Sequence, residues 1–232
     1  MMTVFAPRPT VTVPVAGREA RFPIARIFCV GRNYAAHARE MGSDPDREPP
    51  FFFTKDADAY APDGAVIAYP PATRNFHHEV ELVVAIGGQG FQVAAADAGA
   101  LIFGYAVGLD MTRRDLQQQA KDAGRPWSTG KNFPQSAPLS AIRPVSDGAP
   151  LRRGAITLAV NGSPRQSADI GNMIWSVAET LAHLSRLYTL RPGDLVFTGT
   201  PEGVGAVVPG DVLEGAIEHV GSLRVTIGEA LA

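Results

Sequence analysis

The stretch FHHEVELVVAI, residues 76–86, decides how the rest of the chain is read. Val80, Leu82, Val83, Val84 and Ile86 predict a strand over 80–86. Side chains two apart on a strand share a face, so Glu79 and Glu81 point the same way from inside an apolar segment. Two carboxylates that close repel and raise each other's pKa unless a cation neutralises them, as a divalent metal does. Taken alone, E-x-E reads more simply as the polar face of an exposed strand. His77 and His78 flank the pair and offer a softer donor set that would suit zinc. On a strand His77 alone shares the glutamate face, while His78 points away as a packed residue; neither is placed among the ligands.

Asp110 changes that balance. It ends the apolar run YAVGLD and opens the polar helix TRRDLQQQAKDAG, and strand-to-helix junctions present side chains at the rim of a sheet, where sites are built. Three carboxylates without a cysteine partner form a hard oxygen set. Such a set suits Mg2+ or Mn2+ with open positions for water and substrate.

Around these segments, short apolar runs separated by Gly and Pro dominate, and 24 Gly with 19 Pro favour a strand-rich fold. Further strands are predicted over 25–30, 51–54, 65–68, 106–109, 155–160, 195–198, 212–216 and 222–227. Gly87-Gly88 and Asn161-Gly162 read as turns after strands, Gly87 to Gly90 as a hairpin connection. Three helices are predicted: 33–41, capped by Asn33 with Gly42 beyond its end; 112–123, polar and solvent-facing; and 173–187. The last carries Ile174, Val177, Leu181 and Leu184 at a spacing that gives one buried face. Residues 1–24 are expected to form a small arm appended to one domain over 25–232.

The chain of 232 residues is long enough for one sizeable core, and 45% apolar with 19% charged residues is ordinary for a globular protein. A net charge of −2, with no Lys/Arg block, gives no reason to expect nucleic acid. The single cysteine, Cys29, cannot form an internal disulfide and reads as a packed thiol, since no basic group beside it suggests a nucleophile. Pro7, Pro9 and Pro14 interrupt the start of the chain, which does not read as a signal peptide. No stretch approaches the ~20 apolar residues of a membrane span. A cytoplasmic enzyme of small-molecule chemistry is the expectation. TGTPEGVG, residues 198–205, lacks the ending of a phosphate loop and the dinucleotide glycine spacing. It reads as a turn whose backbone can approach a ligand, with Thr200 offering hydroxyl and amide to a carboxylate.

Several further segments occur in order: CVGRNYAAHAREMG at 29–42, PPFFFTKDADAY at 49–60, RNFHHEVEL at 74–82 and GLDMTRRDLQ at 108–117. They continue with GRPWSTGKNF at 124–133, VNGSPRQ at 160–166 and PGDLVFTGTPEGVG at 192–205. With these segments the chain resembles the fumarylacetoacetate hydrolase family over nearly its whole length, from Ile27 to about Ile227. The resemblance implies a mainly β (α+β) fold of mixed sheets rolled around a metal site, a short helix that closes over substrate, and a homodimer. It implies that Glu79, Glu81 and Asp110 hold the metal and that His37 and Glu40 are the mechanistic pair. Their i, i+3 spacing places both on one helical face, within reach of a hydrogen bond. A carboxylate that orients an imidazole leaves its other nitrogen free to take a proton from water. Lys131 matches the lysine near the metal, and Arg114 and Gln117 would hold the substrate carboxylate. In an arbitrary sequence each of these would be read as solvated surface.

Two departures from the family pattern stand out. Phe-Thr-Lys-Asp at 53–56 replaces the usual Phe-x-Lys-Pro, so Lys55 is not assigned to the site. Pro134 stands where a polar residue is expected, in a loop expected to set substrate choice. The implied activity is hydrolysis of a C–C bond in a 2,4-diketo acid. The segments PPFFF, GRPWSTGK and DIGNMIW (169–175) point to fumarylpyruvate of the gentisate route. Oxaloacetate decarboxylation, isomerisation or decarboxylation of a dienoic diacid, and a non-enzymatic metal-stabilised binding module are the competing readings.

Overall fold

The computed structural model of the protein describes residues 3–40, 48–145 and 150–230. The apolar run Val80–Ile86 is the middle of the molecule, and all seven of its residues are buried. It lies in a mixed sheet ordered Phe51–Lys55, Arg26–Gly31, Asp194–Phe197, Val80–Ile86, Ile102–Leu109, Ala137–Leu139, Tyr60–Pro62, with Arg143–Pro144 also paired to Ile102–Leu109. The pairs Asp194–Phe197 with Arg26–Gly31 and Ala137–Leu139 with Tyr60–Pro62 are parallel, and the others along this order are antiparallel. A second sheet runs Ser163–Asp169, Ala155–Val160, Val212–Ile217, Gly221–Ala230, Val66–Tyr69, with Asn161-Gly162 closing its first hairpin.

The period of two along Val80–Ile86 sorts its side chains between two cores. Val80, Leu82, Val84 and Ile86 join the larger core with Ile156, Leu158, Leu213, Val225 and Ile227 of the second sheet. Val83 and Ala85 face the other way, toward Ile27, Cys29, Leu195 and Phe197. Each large apolar side chain buried this way contributes roughly 1.5–3 kcal/mol. A slip of one residue would drive Glu81 into the larger core, so burial holds the register on which the site depends.

The N-terminal segment forms its own two-stranded sheet, Thr12–Pro14 with Arg21–Pro23, and buries Val13, Val15, Phe22 and Ile24 in the smaller core. Among the described residues no helix is long and apolar enough to cross a membrane.

The strand-rich, mixed-sheet expectation holds, and Val80–Ile86 and Ala155–Val160 run as predicted. Some local readings need correction. The strand Val80–Ile86 does not include Glu79 or His77, which were read as sharing its face: Phe76–His78 belongs to a three-stranded sheet with Thr112–Arg113 and Gly205–Ala206, and Glu79 stands at the break. Strand pairing also takes Thr112–Arg113 out of the following helix, which spans Arg114–Asp122. Arg114, Gln117 and Ala120 give that helix a buried face instead of a wholly solvated surface.

The third helix begins only at Val177, because Ser176 and Glu179 form a capping box there. Asn33 does not cap the helix Ala35–Glu40. Its side-chain amide donates to Trp175 O at 2.9 Å and Thr198 O at 2.8 Å, and its Oδ1 accepts from Trp175 N at 2.7 Å. Met41 and Gly42, the expected end of this helix, lie outside the described residues. Gly87-Gly88 does follow a strand, but the connection continues through a 3-10 helix, Ala95–Leu101, and is no tight hairpin.

Candidate active site

The break at Glu79 brings the acidic residues together. Asp110 directly follows Ile102–Leu109, the antiparallel neighbour of Val80–Ile86, and its amide donates to Glu79 O at 2.9 Å. Carboxylate oxygens of Glu79, Glu81 and Asp110 lie within 4.8 Å of one another, and all three residues are buried. Three cations compensate them. Lys131 Nζ donates to Glu79 Oε2 at 2.8 Å and Asp110 Oδ2 at 2.7 Å. Arg114 Nη2 donates to Glu79 Oε1. Lys55 Nζ stands 2.9 Å from Asp110 Oδ1 and donates to Ser136 Oγ and to Lys131 O.

Lys55, left out on the strength of the missing proline, is thus a fully buried member of the cluster. The aspartate that replaces the proline exchanges hydrogen bonds with Asn132, Asp56 N to Oδ1 and Nδ2 to Asp56 Oδ2, both 2.9 Å. That clasp fixes the chain next to Lys131. Pro134 does not line the site.

The electrostatics of the three acids differ. Burial, reinforced by Asp110 and Glu79, pushes the Glu81 carboxyl well above the usual carboxylate range, although Gly199 N donates to it at 2.7 Å. Burial opposes ionisation of Glu79 as well, but Lys131 and Arg114 outweigh it and hold that pKa below the usual range. Burial also works against the Lys131 charge, yet Asp110 and Glu79 hold its pKa above the ordinary lysine value.

Asp110 Oδ1 is buried and accepts no hydrogen bond despite the nearby Lys55. Oxygens of three buried carboxylates within 4.8 Å of one another, one of the acids with its pKa pushed up by burial and by its like-charged neighbours, fit a hard divalent cation. The histidines stay out of this set. His77 accepts from Arg114 Nε at Nδ1 (3.4 Å), so its Nε2 donates to Asn75 Oδ1 (2.8 Å). Burial, then Arg114, lowers its pKa to about 4. His78 is buried against Gln166.

An open cleft of about 520 Å³ leads to the carboxylates and is also lined by His37, Arg114, Gln117, Lys131 and Thr200. His37 sits on the helix Ala35–Glu40 with Nδ1 at 3.2 Å from Glu40 Oε2. Both oxygens of Glu40 accept from Gly203 N at 3.2 Å, which ties the helix to the TGTPEGVG loop. The structure therefore brings all the predicted residues into one site, Glu40 from just behind His37.

Two assigned donors are already in use. The Thr200 hydroxyl donates to Val80 O at 2.8 Å and accepts from Gln166 Nε2 at 2.8 Å, leaving the main-chain N–H for a carboxylate. Arg114 spends three N–H groups on Glu79, Gln117 and His77, which leaves the amide N–H2 of Gln117 as the freer donor. Gln166, buried with all of its amide engaged, was not found from the sequence. One polar residue in the polar strand Ser163–Asp169 carries no local sign of burial. Arg32, Phe53, Gln118, Lys121 and Trp127 also line the cleft and had no assigned role.

The profile of the family described as Fumarylacetoacetate (FAA) hydrolase C-terminal matches residues 26–228. The chain belongs to the fumarylacetoacetate hydrolase family. Within it, a fumarylpyruvate hydrolase of Ralstonia sp is 50% identical over 192 residues, 82% of this chain and 100% of the relative. A mitochondrial oxaloacetate tautomerase of Rattus norvegicus is 44% identical over 204 residues, 87% of this chain and 90% of the relative. The crystal structure of fumarylpyruvate hydrolase from Pseudomonas aeruginosa in complex with Mn2+ and pyruvate matches with a TM-score of 0.96 at 52% identity. That match covers 98% of this chain and 100% of the other.

Membership of the fumarylacetoacetate hydrolase family gives the Glu40 contact a testable consequence. Gly203 has φ +87°, and a Cβ there would overlap Arg165 O. Gly203→Ala should displace the amide that steadies Glu40 and lower kcat roughly ten- to a hundredfold. Mn2+ affinity, followed by calorimetry, should not change. An unaltered kcat in the folded variant would remove Glu40 from the mechanism.

Proposed function

We propose that this protein is a divalent-metal hydrolase that cleaves the C3–C4 bond of an acylpyruvate, with fumarylpyruvate as first substrate, in gentisate-type aromatic catabolism. One observation carries the reading: a buried Glu79, Glu81 and Asp110 cluster shares a cleft with a His37 held by Glu40. The fumarylpyruvate hydrolase relatives support it. Glu79, Glu81 and Asp110 would hold Mg2+ or Mn2+, which when bound supplies Lewis-acid polarisation and a template for the 2-oxo acid head.

Gln117 and the Thr200 N–H orient the substrate carboxylate, with Arg114 behind them. Glu40 holds His37 Nδ1, so Nε2 takes a proton from water as the oxygen adds to C4. The C3–C4 bond then breaks with its electron pair on C3. The Lys131 ammonium stabilises the resulting pyruvate enolate, C3 takes up a proton, and pyruvate leaves with a second carboxylic acid, here fumarate. A homodimer is the proposed working unit, to be checked by light scattering.

The test is a steady-state assay with Mn2+ or Mg2+ beside an EDTA-treated control, on fumarylpyruvate and on oxaloacetate. Equal release of fumarate and pyruvate, dependent on metal, is the expected result. His37→Ala should lower that hydrolysis by 10²–10⁴-fold, a typical range for a general base. It should leave any oxaloacetate decarboxylation intact, because no water attacks in that reaction. The 44% identical oxaloacetate tautomerase supports a second reading, enol–keto interconversion of oxaloacetate. Rapid loss of the oxaloacetate enol with no cleavage of fumarylpyruvate would replace the first reading by the second.

A further inference from the structure

The cleft has an inner end built from the acids and cations and an outer end that the mechanism leaves unused. Phe53, with its ring centroid 5.3 Å from Lys131 Nζ and 6.0 Å from that of Trp127, leads from the cations to Trp127 and Arg32, and Lys121 from the last turn of Arg114–Asp122 lines the cleft as well. Trp127 packs edge-on against Phe51 with centroids 5.0 Å apart, and the Phe51 ring lies over Gly31, where a Cβ would overlap it. The Arg32 guanidinium stands 5.7 Å from the Phe51 centroid. Among the described residues Arg32 has no ion-pair partner. A half-buried guanidinium on an aromatic wall, with no carboxylate partner among the described residues, is a receptor for one.

The backbone gives an independent sign. Arg32 has φ +59°, a conformation that disfavours every side chain larger than glycine's and costs on the order of a tenfold population difference for most residues. The next residue, Asn33, is anchored by side-chain bonds to Trp175 and Thr198. Glycine would make the same turn without strain, so arginine at this position points to a use for its side chain.

We propose that Arg32, assisted by Lys121, forms a distal anion subsite that binds the far carboxylate of a dicarboxylic 2-oxo acid whose flat chain lies along Phe53 and Trp127. The subsite makes the enzyme selective for diacids over monoacids of equal length. It rests on the acylpyruvate reading for the placement of the 2-oxo head at the carboxylate cluster.

Binding of 2-oxoheptanedioate and 2-oxoheptanoate to the Mn2+-loaded protein tests it by calorimetry, because the two ligands differ only in the distal carboxylate. The diacid should bind about 10- to 100-fold more tightly, as expected for one charge-assisted contact. Arg32→Gly should abolish that difference, leave the monoacid unchanged, and raise or preserve the melting temperature because the strain is relieved. Lys121→Gln should lower the diacid preference by a smaller factor. Equal binding of the two ligands by the wild type, or equal weakening of both by Arg32→Gly, would overturn the subsite. A diacid preference lost in Arg32→Gly, in a protein that does not cleave fumarylpyruvate, would keep the subsite and discard the hydrolase.

Discussion

Glu81→Gln should remove metal binding and activity while leaving the metal-free fold at least as stable as before. The buried Glu81 carboxyl faces Asp110 and Glu79, and its pKa is pushed well up by burial and by those neighbours. A glutamine of the same shape keeps the acceptor for Gly199 N and offers N–H to the two carboxylates. The like-charge conflict then disappears. A folded-state pKa raised above the unfolded one contributes stability below the unfolded value and loses it as pH rises through the folded one. EDTA-treated wild type should therefore lose stability relative to Glu81→Gln as pH rises above the ordinary glutamate range.

Metal addition should reverse the order. Saturating Mn2+ at a hundred times its Kd stabilises by about 2.7 kcal/mol, or roughly 5–10 °C for a chain of this size. Only the wild type should show that shift. Turnover should fall at least about a thousandfold, the scale of losing the main transition-state charge stabilisation. A Glu81→Gln protein that still gains thermal stability from Mn2+ would show that the acidic cluster is not the metal site.

Lys131→Met should be the most destabilising change at the site. The ammonium is buried and donates to Glu79, Asp110 and the Thr112 hydroxyl at 2.7–2.8 Å. Removing it leaves two buried carboxylates short of charge, and breaking such a pair from one side costs about 3–5 kcal/mol. Thermal unfolding in EDTA should register a drop of roughly 6–20 °C. Mn2+ should restore much of that stability, because the ion supplies positive charge to the same acids. It should not restore hydrolysis, because the fixed charge beside the enolate is gone. Recovery of both by Mn2+ would reduce Lys131 to a structural counter-ion.

Legibility of the site followed the range of the interactions. Glu81 takes its face from the alternation of Val80–Ile86, which is visible in the sequence, whereas Glu79 stands at the break before that strand, where its carbonyl accepts from the Asp110 amide. His37 and Glu40 meet because a helix turns in about 3.6 residues. Asp110 could be suspected from its place at the end of an apolar run. Lys131, Arg114 and Gln117 have no such local sign, and only resemblance to the family assigned them. Lys55 was misjudged because the reading turned on the residue after it, whereas its burial depends on Lys131 O and Ser136, 76 and 81 residues away. Gln166 was missed for the same reason, its amide being filled by Val80, Thr200 and Pro201 at separations of 86, 34 and 35 residues.

By itself, then, the sequence determined the strand-rich class and the course of Val80–Ile86, because periodicity acts over a few positions, and its ordered motifs carried the resemblance to the family. Only the tertiary structure decided where FHHEVELVVAI breaks and which donors remain for a ligand once Thr200 and Arg114 are engaged. It also decided that Arg32, strained and without an ion-pair partner among the described residues, faces the outer end of the cleft. These depend on groups tens of residues apart competing for the same hydrogen bonds, and that competition is settled only when the sheets pack.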